Sequence, residues 1–447
     1  MSDYFGTDGV RGRVGEPPMT VDFALKLASA AARILAPKGG RVLIGKDTRV
    51  SGYMFESALE AGFVAAGVDV LLIGPLPTPG IAYMTQRLGC NFGVVISASH
   101  NGYEDNGIKF FDGNGSKLSD SLESQIERLL DGPVVTRESQ RLGKAVRTDR
   151  SRTQYQEFCA STIPAGMTLE GFKIVVDCAN GAGYKVAPRV FADLGAEIVP
   201  IGCSPNGRNI NDGCGTTHTE LLQLTVPGVR AQVGVALDGD GDRVMMVDEL
   251  GRCVDGDQLL YVLARARRDA GTLEGPVVGT VMSNLGLEQS LAELGIPFLR
   301  AQVGDRHVLA MLQEVGGTLG GETSGHILCL DKTTTGDGMI SALQVLAVMK
   351  STGAGLAELC APMPKYPQVL LNVRVPRRFD PMESPSVVDT AAAVERSFKG
   401  RGRIVLRASG TEPVIRVMVE GYDAKLVKRG ASEIAAAVEA VAAKPAA

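Results

Sequence analysis

One pattern of strand, glycine-containing turn, helix and second strand occurs three times along the chain, and it limits the fold more than any other feature. The copies cover residues 41–73, 172–199 and 276–299. In each copy the helical stretch ends at a glycine, and the next apolar run follows directly. A strand, a helix and a second, parallel strand form a βαβ unit. The sequence therefore predicts three successive α/β domains of similar build.

The C-terminal part of the chain follows a different pattern. Three strands and a closing helix are expected at 367–375, 402–406, 414–419 and 426–443. This order predicts a smaller α+β domain that begins near Lys365. The predicted fold class is therefore α/β, with mixed sheets in three similar domains and an α+β domain at the C-terminus.

The length of the chain also requires several domains. A chain of 447 residues exceeds what one hydrophobic core usually organises. Its hydrophobic fraction of 45% and mean hydropathy of +0.09 provide enough apolar material for several cores. The four predicted domains are 1–150, 151–255, 256–364 and 365–447.

Charge and hydropathy argue against other classes of protein. The net charge of −4 and the lack of a basic run argue against nucleic acid as a partner. The chain has no unbroken apolar run long enough to span a membrane, and its start lacks the pattern of a secretory leader. The eight cysteines are scattered, which favours free thiols. We therefore expect a cytoplasmic protein with no membrane or nucleic-acid partner.

Three aspartates alternate with two glycines directly after the apolar run 233–237. The glycines allow a tight turn in which Asp238, Asp240 and Asp242 converge. At an effective dielectric of about 20, neighbouring carboxylates repel by about 2–3 kcal/mol. A divalent cation would compensate, and ligands that are all hard oxygens suit Mg²⁺. The pattern predicts a magnesium site.

Two other interpretations compete with a magnesium site. A solvated acidic turn would need no ligand. A calcium EF-hand would use the three aspartates and Glu249 at loop positions one, three, five and twelve. That loop needs glycine at position six, where the chain has Arg243, and helices on both sides, where the sequence indicates strands. The EF-hand is excluded, and the acidic turn stays as the alternative.

A polar loop separates two apolar strands in the first predicted domain. It follows the run 93–96, carries Ser99 and His100, and ends where a second strand is expected to start at Ile108, next to Lys109. A serine hydroxyl at the end of a strand can act as a nucleophile or as a phosphoryl carrier. A turn rich in small polar residues is the alternative. The residues alone leave both interpretations open.

A glycine-flanked loop in the third predicted domain carries a carboxylate, hydroxyls and an imidazole. Within 320–326, these are Glu322, Ser324 and His326. A carboxylate that accepts hydrogen bonds from a diol is a natural way to hold a sugar ring. An ordinary surface loop is the alternative. The loop is therefore a candidate sugar-binding element.

A second loop, in the C-terminal domain, combines small polar residues with arginines. Between Arg407 and Arg416 lie Ser409, Gly410 and Thr411. Backbone N–H groups and the two hydroxyls can surround a phosphate, and the arginines add positive charge. The loop is a candidate for binding a phosphate group.

Five motifs, in order along nearly the whole chain, resemble those of the α-D-phosphohexomutase superfamily. They are residues 97–101, 106–109, 238–243, 321–326 and 407–413. The segments 4–12 and 105–111 are most similar to the bacterial phosphoglucosamine mutase branch. Two positions depart from the pattern: Gly102 stands where the family commonly has proline, and Thr323 where the branch commonly has glutamine.

The resemblance implies four domains around one central cleft. It also implies a phosphoserine at Ser99 and one Mg²⁺ per active site. The metal would be held by Asp238, Asp240 and Asp242 together with an oxygen of the Ser99 phosphoserine. Lys109 becomes a candidate for proton transfer at the sugar hydroxyl.

The same resemblance implies roles for residues in other loops. Arg11 is similar to the family's active-site arginine, and His326 becomes a second acid/base candidate. Glu322 and Ser324 would bind sugar hydroxyls. Two further residues are open: Arg243 either binds the phosphate or pairs with an aspartate, and His100 either contacts substrate or braces its loop. Arg407, Ser409, Gly410, Thr411 and Arg416 would bind the phosphate that is not reacting.

The implied function is an isomerase that interconverts glucosamine 6-phosphate and glucosamine 1-phosphate for amino-sugar and cell-wall precursor synthesis. The reaction would pass through a phosphoserine enzyme and a bisphosphate, with glucosamine or glucose 1,6-bisphosphate as primer. The first alternative is a phosphoglucomutase/phosphomannomutase with the same mechanism. A catalytically silent sugar-phosphate binder and a phosphatase are further alternatives. Monomer and homodimer both stay open.

Overall fold

The computed structural model describes residues 4–6, 8–376, 379–408 and 413–443. Over these residues the chain forms four sheets with helices packed against them. The first three sheets combine parallel and antiparallel strand pairs, whereas the fourth is antiparallel. This confirms the predicted fold class of three α/β domains and a smaller C-terminal α+β domain.

The first sheet contains six strands. They are β1 (Val10–Arg13), β2 (Gly40–Lys46), β3 (Val68–Pro75), β4 (Phe92–Ile96), β5 (Asp105–Asp112) and β6 (Ala145–Arg147), in the order β1-β5-β4-β2-β3-β6. The helices are α1 (Val21–Leu35), α2 (Ser51–Ala65), α3 (Thr78–Arg87) and α4 (Asp120–Glu127). The parallel pair β2 and β3, joined by α2, is the first predicted βαβ unit.

The strand after the Ser99 loop starts earlier than the sequence predicted. It begins at Asp105 rather than at Ile108, because residues 105–107 pair with the N-terminal strand β1. Lys109 therefore lies inside β5, where it is paired with Val95 of β4 and directly follows the residues paired with β1.

The second sheet holds the aspartate loop. Its strands are β7 (Lys173–Asp177), β8 (Glu197–Ile201), β9 (Val233–Leu237), β10 (Val244–Val247) and β11 (Cys253–Val254), with helices α5 (Ser151–Ser161), α6 (Ala187–Asp193) and α7 (Glu220–Gly228). The order is β11-β10-β9-β7-β8. The loop joins β9 to the antiparallel β10. Strands on both sides of the aspartates agree with the exclusion of an EF-hand.

The third sheet has four strands and carries the glycine-flanked loop. Its elements are α8 (Gly256–Asp269), β12 (Val277–Thr280), α9 (Leu285–Glu293), β13 (Phe298–Ala301), α10 (Asp305–Val315), β14 (Leu319–Gly321), β15 (Ile327–Cys329), α11 (Gly338–Thr352) and α12 (Leu356–Cys360). The order is β13-β12-β14-β15. The loop is the turn of the β14–β15 hairpin.

The fourth sheet is small and antiparallel. Its elements are β16 (Gln368–Arg374), α13 (Pro385–Ser397), β17 (Gly402–Ala408), β18 (Val414–Gly421) and α14 (Ala424–Ala442), with strand order β16-β18-β17. The sequence did not predict α13. This helix begins with proline at its first turn and packs Val387 and Val394 into the core of this domain.

The apolar clusters join the first three domains but leave the fourth domain separate. One continuous apolar cluster includes Leu43 of the first domain, Val176 of the second and Leu343 of the third. A separate cluster fills the fourth domain. At the centre, the hydroxyl of Tyr155 on α5 donates to Asp337 Oδ2 at 2.7 Å, and Asp337 caps α11. The first three domains therefore share packing that the fourth does not.

Two other sequence-based expectations concern thiols and membranes. All eight cysteines are free thiols. In the described part of the chain, no helix combines the length and apolar content that crossing a bilayer requires.

The shared core gives a stability prediction. Leu343 is fully buried on α11, so Leu343→Ala is expected to lower the free energy of unfolding by about 2–5 kcal/mol through cavity formation. Leu224 on α7 is 75% exposed, so Leu224→Ala should change it by less than about 0.5 kcal/mol. Urea unfolding followed by circular dichroism measures both variants. Equal shifts in the two would contradict this view of the core.

Candidate active site

Residues from three domains line an open cavity of about 380 Å³. The first domain contributes Asp8 and Arg11, the second Asp242 and Arg243, and the third Glu322 and His326. Asp8 lies just before β1, and Arg11 lies within that strand. The second-domain pair lies in the turn between β9 and β10, and the third-domain pair lies in the turn between β14 and β15. The structure therefore brings together residues that the sequence separates by more than three hundred positions.

Ser99 lies buried beside the aspartate loop. Its Oγ donates to Asp238 Oδ2 at 2.6 Å, across the boundary between the first and second domains. Its φ of 52° is in the left-handed region, which a non-glycine residue rarely adopts. Ser97 supports this conformation, because its Oγ accepts from Ser99 N at 3.0 Å and donates to Asp47 Oδ2 at 2.6 Å.

Two residues that sequence reasoning missed hold the Ser99 loop. The fully buried Arg49 donates to Ser99 O at 3.0 Å and to Asn101 O at 2.9 Å. Asn211, from the second domain, donates to the same two oxygens at 2.9 Å each. Arg49 also donates to Gly102 O, so the backbone at that departure from the family pattern is held too. The only sequence signal was an Asp-Thr-Arg run after β2.

The three aspartates form a compact group of buried carboxylates. Oxygens of Asp238, Asp240 and Asp242 lie within 4.8 Å of one another. Gly241, with φ +73°, allows the turn between them. Burial, then repulsion from Asp242 and Asp240, raises the pKa of Asp238 well above its ordinary value. The group is therefore unfavourable without added positive charge.

This group fits a divalent cation. Among the residues described, Asp240 Oδ1 and Asp242 Oδ1 are buried and have no hydrogen-bond partner. Buried acceptors normally have a partner, and three hard carboxylates suit Mg²⁺. The acidic-turn alternative requires solvated side chains, and these are buried.

Lys109 lies between carboxylates of two loops. Its Nζ is 2.8 Å from Asp240 Oδ2 and 2.8 Å from Asp8 Oδ2. Burial alone would lower the pKa of Lys109, but attraction to Asp240 and Asp8 outweighs it and raises that pKa. The same ammonium outweighs burial at Asp240 and lowers the pKa of that carboxyl. Lys109 is therefore held in its charged form.

A chain of alternating charges continues from Asp8 to His326 across the cleft. Lys117 Nζ lies 2.6 Å from Asp8 Oδ1 and also pairs with Asp305 of the third domain. Asp305 Oδ2 is 3.4 Å from His326 Nε2. Burial alone would lower the pKa of His326, but attraction to Asp305 and Asp242 raises it. Sequence reasoning gave no signal for Lys117 or Asp305.

Arg11 and Arg243 both line the cavity, but their guanidinium groups lie at different distances from carboxylates. Arg11 pairs with Asp8. The Nε of Arg243 is 3.9 Å from Asp242 Oδ1 and makes no hydrogen bond to described residues. Burial lowers the pKa of both, and nearby carboxylates raise it overall. The long distance leaves the Arg243 guanidinium able to bind an anion.

His100 lies next to the serine hydroxyl, with Nδ1 3.4 Å from Ser99 Oγ. Burial, followed by repulsion from Arg243 and Arg11, lowers the pKa of His100 to about 4. The imidazole is therefore neutral at pH 7.

In the glycine-flanked loop, Glu322 lines the third-domain side of the cavity, whereas Ser324 is not among the lining residues. Glu322 Oε1 accepts from Gly304 N at 3.0 Å, and Ser324 Oγ is buried without a partner among the described residues. Thr323, the second departure from the family pattern, donates its hydroxyl to Asp257 Oδ2 at 2.7 Å, behind the loop. Thr323 does not line the cavity. Its difference from glutamine therefore lies outside the cavity wall.

The predicted phosphate loop is only partly described. Ser409, Gly410 and Thr411 lie outside the described residues. Arg407 and Arg416 are directly opposite each other on β17 and β18. Burial and then repulsion from Arg416 lower the pKa of Arg407. Like charges at opposed strand positions are unfavourable, and a bound anion would relieve the repulsion.

Four family models match successive parts of the chain. They are described as "Phosphoglucomutase/phosphomannomutase, alpha/beta/alpha domain I", domain II, domain III and "C-terminal domain", and they match residues 2–133, 154–251, 255–366 and 370–437. The chain belongs to the phosphoglucomutase/phosphomannomutase family, whose members are phosphohexomutases.

Curated relatives show which branch of the family this chain resembles in sequence. The phosphoglucosamine mutase of Pseudomonas fluorescens (strain Pf0-1) is 55% identical, and the aligned region covers 98% of this chain and 99% of that protein. The phosphoglucosamine mutase of Actinobacillus succinogenes is 57% identical, over 98% of each chain. The predicted resemblance to phosphoglucosamine mutases, and with it the prediction of an enzyme, is confirmed.

Solved structures share the fold. A phosphoglucomutase/phosphomannomutase family protein from Burkholderia thailandensis superposes with a TM-score of 0.80 at 24% identity, over 98% of both chains. The N-acetylphosphoglucosamine mutase of Aspergillus fumigatus, solved with GlcNAc-6P and magnesium, has a TM-score of 0.72 at 20% identity, over 98% of this chain and 96% of that one.

The hydrogen bonds to the Ser99 loop give a prediction for Asn211. Asn211 has φ 58°, so Asn211→Gly removes the amide but keeps an accessible backbone conformation. Loss of two hydrogen bonds of about 1 kcal/mol each should lower kcat roughly 30-fold.

Arg230→Gly is the matched control, because Arg230 is exposed and has φ 55°. Steady-state kinetics of both variants measure the effect. If the two variants have the same kcat, Asn211 does not position the loop.

Proposed function

We propose that this enzyme interconverts glucosamine 6-phosphate and glucosamine 1-phosphate through a phosphoserine at Ser99 and a sugar bisphosphate. The observation that carries the chemistry is the 2.6 Å contact of Ser99 Oγ with Asp238 inside the buried carboxylate group. A phosphoryl group on Ser99 would lie beside a metal site of the type that phosphoryl transfer uses. The named relatives at 55–57% identity support the choice of glucosamine.

The metal role falls to Asp238, Asp240 and Asp242, with an oxygen of phosphorylated Ser99 as a further ligand. When bound, Mg²⁺ would neutralise charge on the phosphoryl group in transfer. Arg243, whose guanidinium is not committed to a short ion pair, binds the same phosphate in this proposal. Arg11, which lines the cavity, and His100, whose Nδ1 lies 3.4 Å from Ser99 Oγ, contact substrate in this proposal.

Proton transfer divides between Lys109 and His326 in this proposal. Lys109 is held charged by Asp240 and Asp8, so it acts as a donor rather than as an acceptor. His326 has an ordinary pKa near neutrality, which attraction to Asp305 and Asp242 raises against the effect of burial, and it is the second group that exchanges a proton with a sugar hydroxyl. A proton leaves that hydroxyl whenever it accepts the phosphoryl group.

The two ends of the substrate are held by different domains. Glu322 and Ser324 bind the sugar hydroxyls. Arg407 and Arg416, with Ser409, Gly410 and Thr411, bind the phosphate that is not reacting. One transfer site serves both ends of the sugar, so the bisphosphate must turn over between the two half-reactions. A second phosphate site is then necessary in each orientation.

Several parts of the proposal concern the protein as a whole. Glucosamine or glucose 1,6-bisphosphate acts as the primer. The domain boundaries are 1–150, 151–255, 256–364 and 365–447. The enzyme is proposed to work in the cytoplasm, with monomer and homodimer both compatible with the proposal.

The phosphoserine is tested at Ser99. Ser99→Ala is expected to lower turnover by several orders of magnitude, because the acceptor oxygen is gone, without unfolding the protein. Active enzyme should show a fraction about 80 Da heavier in intact-mass analysis, and the variant should not. Ser57→Ala, at an exposed position on α2, is the control. Full activity of the Ser99 variant would disprove the covalent step.

The sugar is tested with a panel of hexose phosphates and one bisphosphate primer. We expect kcat/KM for glucosamine phosphate to exceed that for glucose or mannose phosphate at least about tenfold, or 1.4 kcal/mol of transition-state binding. Equal or better use of mannose 1-phosphate would instead favour a phosphoglucomutase/phosphomannomutase. Net release of phosphate would indicate a phosphatase.

A further inference from the structure

A fully buried carboxylate, Asp257, lies behind the glycine-flanked loop at 320–326, which we call the sugar loop. Asp257 has no part in the chemistry described above. It belongs to the first turn of α8. Its Oδ2 accepts from Thr323 Oγ1 at 2.7 Å and from Asn284 N at 2.8 Å. One oxygen atom therefore joins the sugar loop to the start of α9.

The sugar loop rests directly on the start of α8. Gly256 N donates to Thr323 O at 3.1 Å. A Cβ atom at Gly256 would overlap Glu322 O, so the two backbones are in close contact. The position of Glu322 therefore depends on the place where Thr323 is held.

The segment 281–285, which Asp257 holds through Asn284, is also where the fourth domain attaches. Arg403 of β17 donates to Val281 O at 2.8 Å and to Ser283 O at 2.5 Å. Leu285 N donates to Glu420 Oε1 at 2.9 Å. Glu420 is fully buried and pairs with Arg403 at 2.8 Å. Buried, charge-assisted hydrogen bonds of this kind are directional and resist displacement.

The connection between the third and fourth domains is tied to the same point. The side chain of Asn284 exchanges two hydrogen bonds with the backbone of Tyr366, each of 3.0 Å. A Cβ atom at Gly286 would overlap Pro364 O. The connecting segment therefore follows the start of α9 closely.

We propose that Asp257 is a positioning residue that ties the sugar loop to the segment carrying the fourth domain. It acts through Thr323 on one side and Asn284 on the other. This rests on the proposed function, in which the sugar ring lies on Glu322 while the second phosphate lies on Arg407 and Arg416. Binding both parts of one rigid substrate requires a defined separation between the two loops.

The surroundings of Asp257 agree with this role. Burial, followed by repulsion from Asp255, raises the pKa of Asp257 to about 6, so the carboxylate needs its donors. Its Oδ1 has no hydrogen-bond partner among the described residues, which leaves Oδ2 as the acceptor of both contacts. Loss of one donor should therefore loosen the loop while leaving the buried core unchanged.

Thr323→Val tests the tie without removing the buried charge. The valine keeps the shape and deletes the hydroxyl. We expect KM for glucosamine 1-phosphate to rise roughly five- to twentyfold, with kcat within about twofold. Thr323→Ser, which restores the hydroxyl, should return KM to within about twofold of the parent enzyme.

Thr162→Val is the matched control, because the Thr162 hydroxyl is buried and donates to Cys159 O at 2.7 Å away from the cleft. The thermal midpoint and the phosphorylated fraction of Ser99 should stay equal in Thr323→Val and the control. An unchanged KM in Thr323→Val, or no recovery with serine, would overturn the proposal.

A double-mutant cycle tests the tie to the fourth domain. Arg403→Met removes the donors to Val281 and Ser283, and we expect it to raise KM. Combined with Thr323→Val, the rise in KM should be at least about threefold smaller than the product of the single effects, because both changes loosen one connection. A purely multiplicative result would overturn the tie. If Arg403→Met does not fold, Arg403→Lys takes its place.

A parallel measurement with glucose 1-phosphate distinguishes failure of the positioning role from failure of the proposed substrate. Parent enzyme that prefers glucose or mannose phosphate would contradict the proposed substrate. The change in KM caused by Thr323→Val should still appear with whichever sugar is used. An effect confined to one sugar would instead show direct substrate recognition by Thr323 and would overturn its positioning role.

Discussion

The repulsion among three buried carboxylates is the constraint on which the rest of the site depends. Asp238, Asp240 and Asp242 lie too close together, and too far from water, to be stable as anions alone. The fold supplies partial compensation through Lys109, which reaches Asp240 from the first domain. Within the described part of the chain, two of the carboxylate oxygens still have no hydrogen-bond partner. The fold thus prepares a position for a cation, and in the proposed function the phosphate on Ser99 would lie beside it.

This constraint explains why one of the apolar clusters runs through all of the first three domains. Ser99 and Lys109 approach the aspartates from the first domain, and His326 approaches from the third. Charges in a buried site must be placed to within a few tenths of an ångström to be useful. A continuous apolar cluster across the three domains provides that rigidity. Lys117 then links the first and third domains across the cleft, because it forms ion pairs with both Asp8 and Asp305.

Much of the fold could be predicted because its signals are local. The βαβ units, the strands around Asp238 and the loop at Ser99 each follow from a pattern within one continuous stretch of sequence, the longest of which covers residues 41–73. The missed residues depend on contacts between distant segments. Asn211 reaches Ser99 over 112 positions, and Lys117 reaches Asp305 over 188. Nothing near either residue distinguishes it from a surface polar group, so only the folded chain identifies it. The early start of β5 was missed for the same reason, because it depends on pairing with β1.

The fourth domain raises a different physical problem. Its core is separate, so apolar packing does not set its distance from the sugar loop. Arg403 and Glu420 fix that domain to the segment 281–285 by directional polar contacts. Polar interfaces between domains permit relative motion more readily than a shared core does. In the proposed function, the separation of the two loops that hold the substrate would depend on a few such hydrogen bonds, and Asp257 accepts hydrogen bonds from Asn284 in this segment and from Thr323 in the loop at 320–326. The departure from the family pattern at Thr323, which does not line the cavity, therefore bears on the geometry of its loop rather than on the cavity wall.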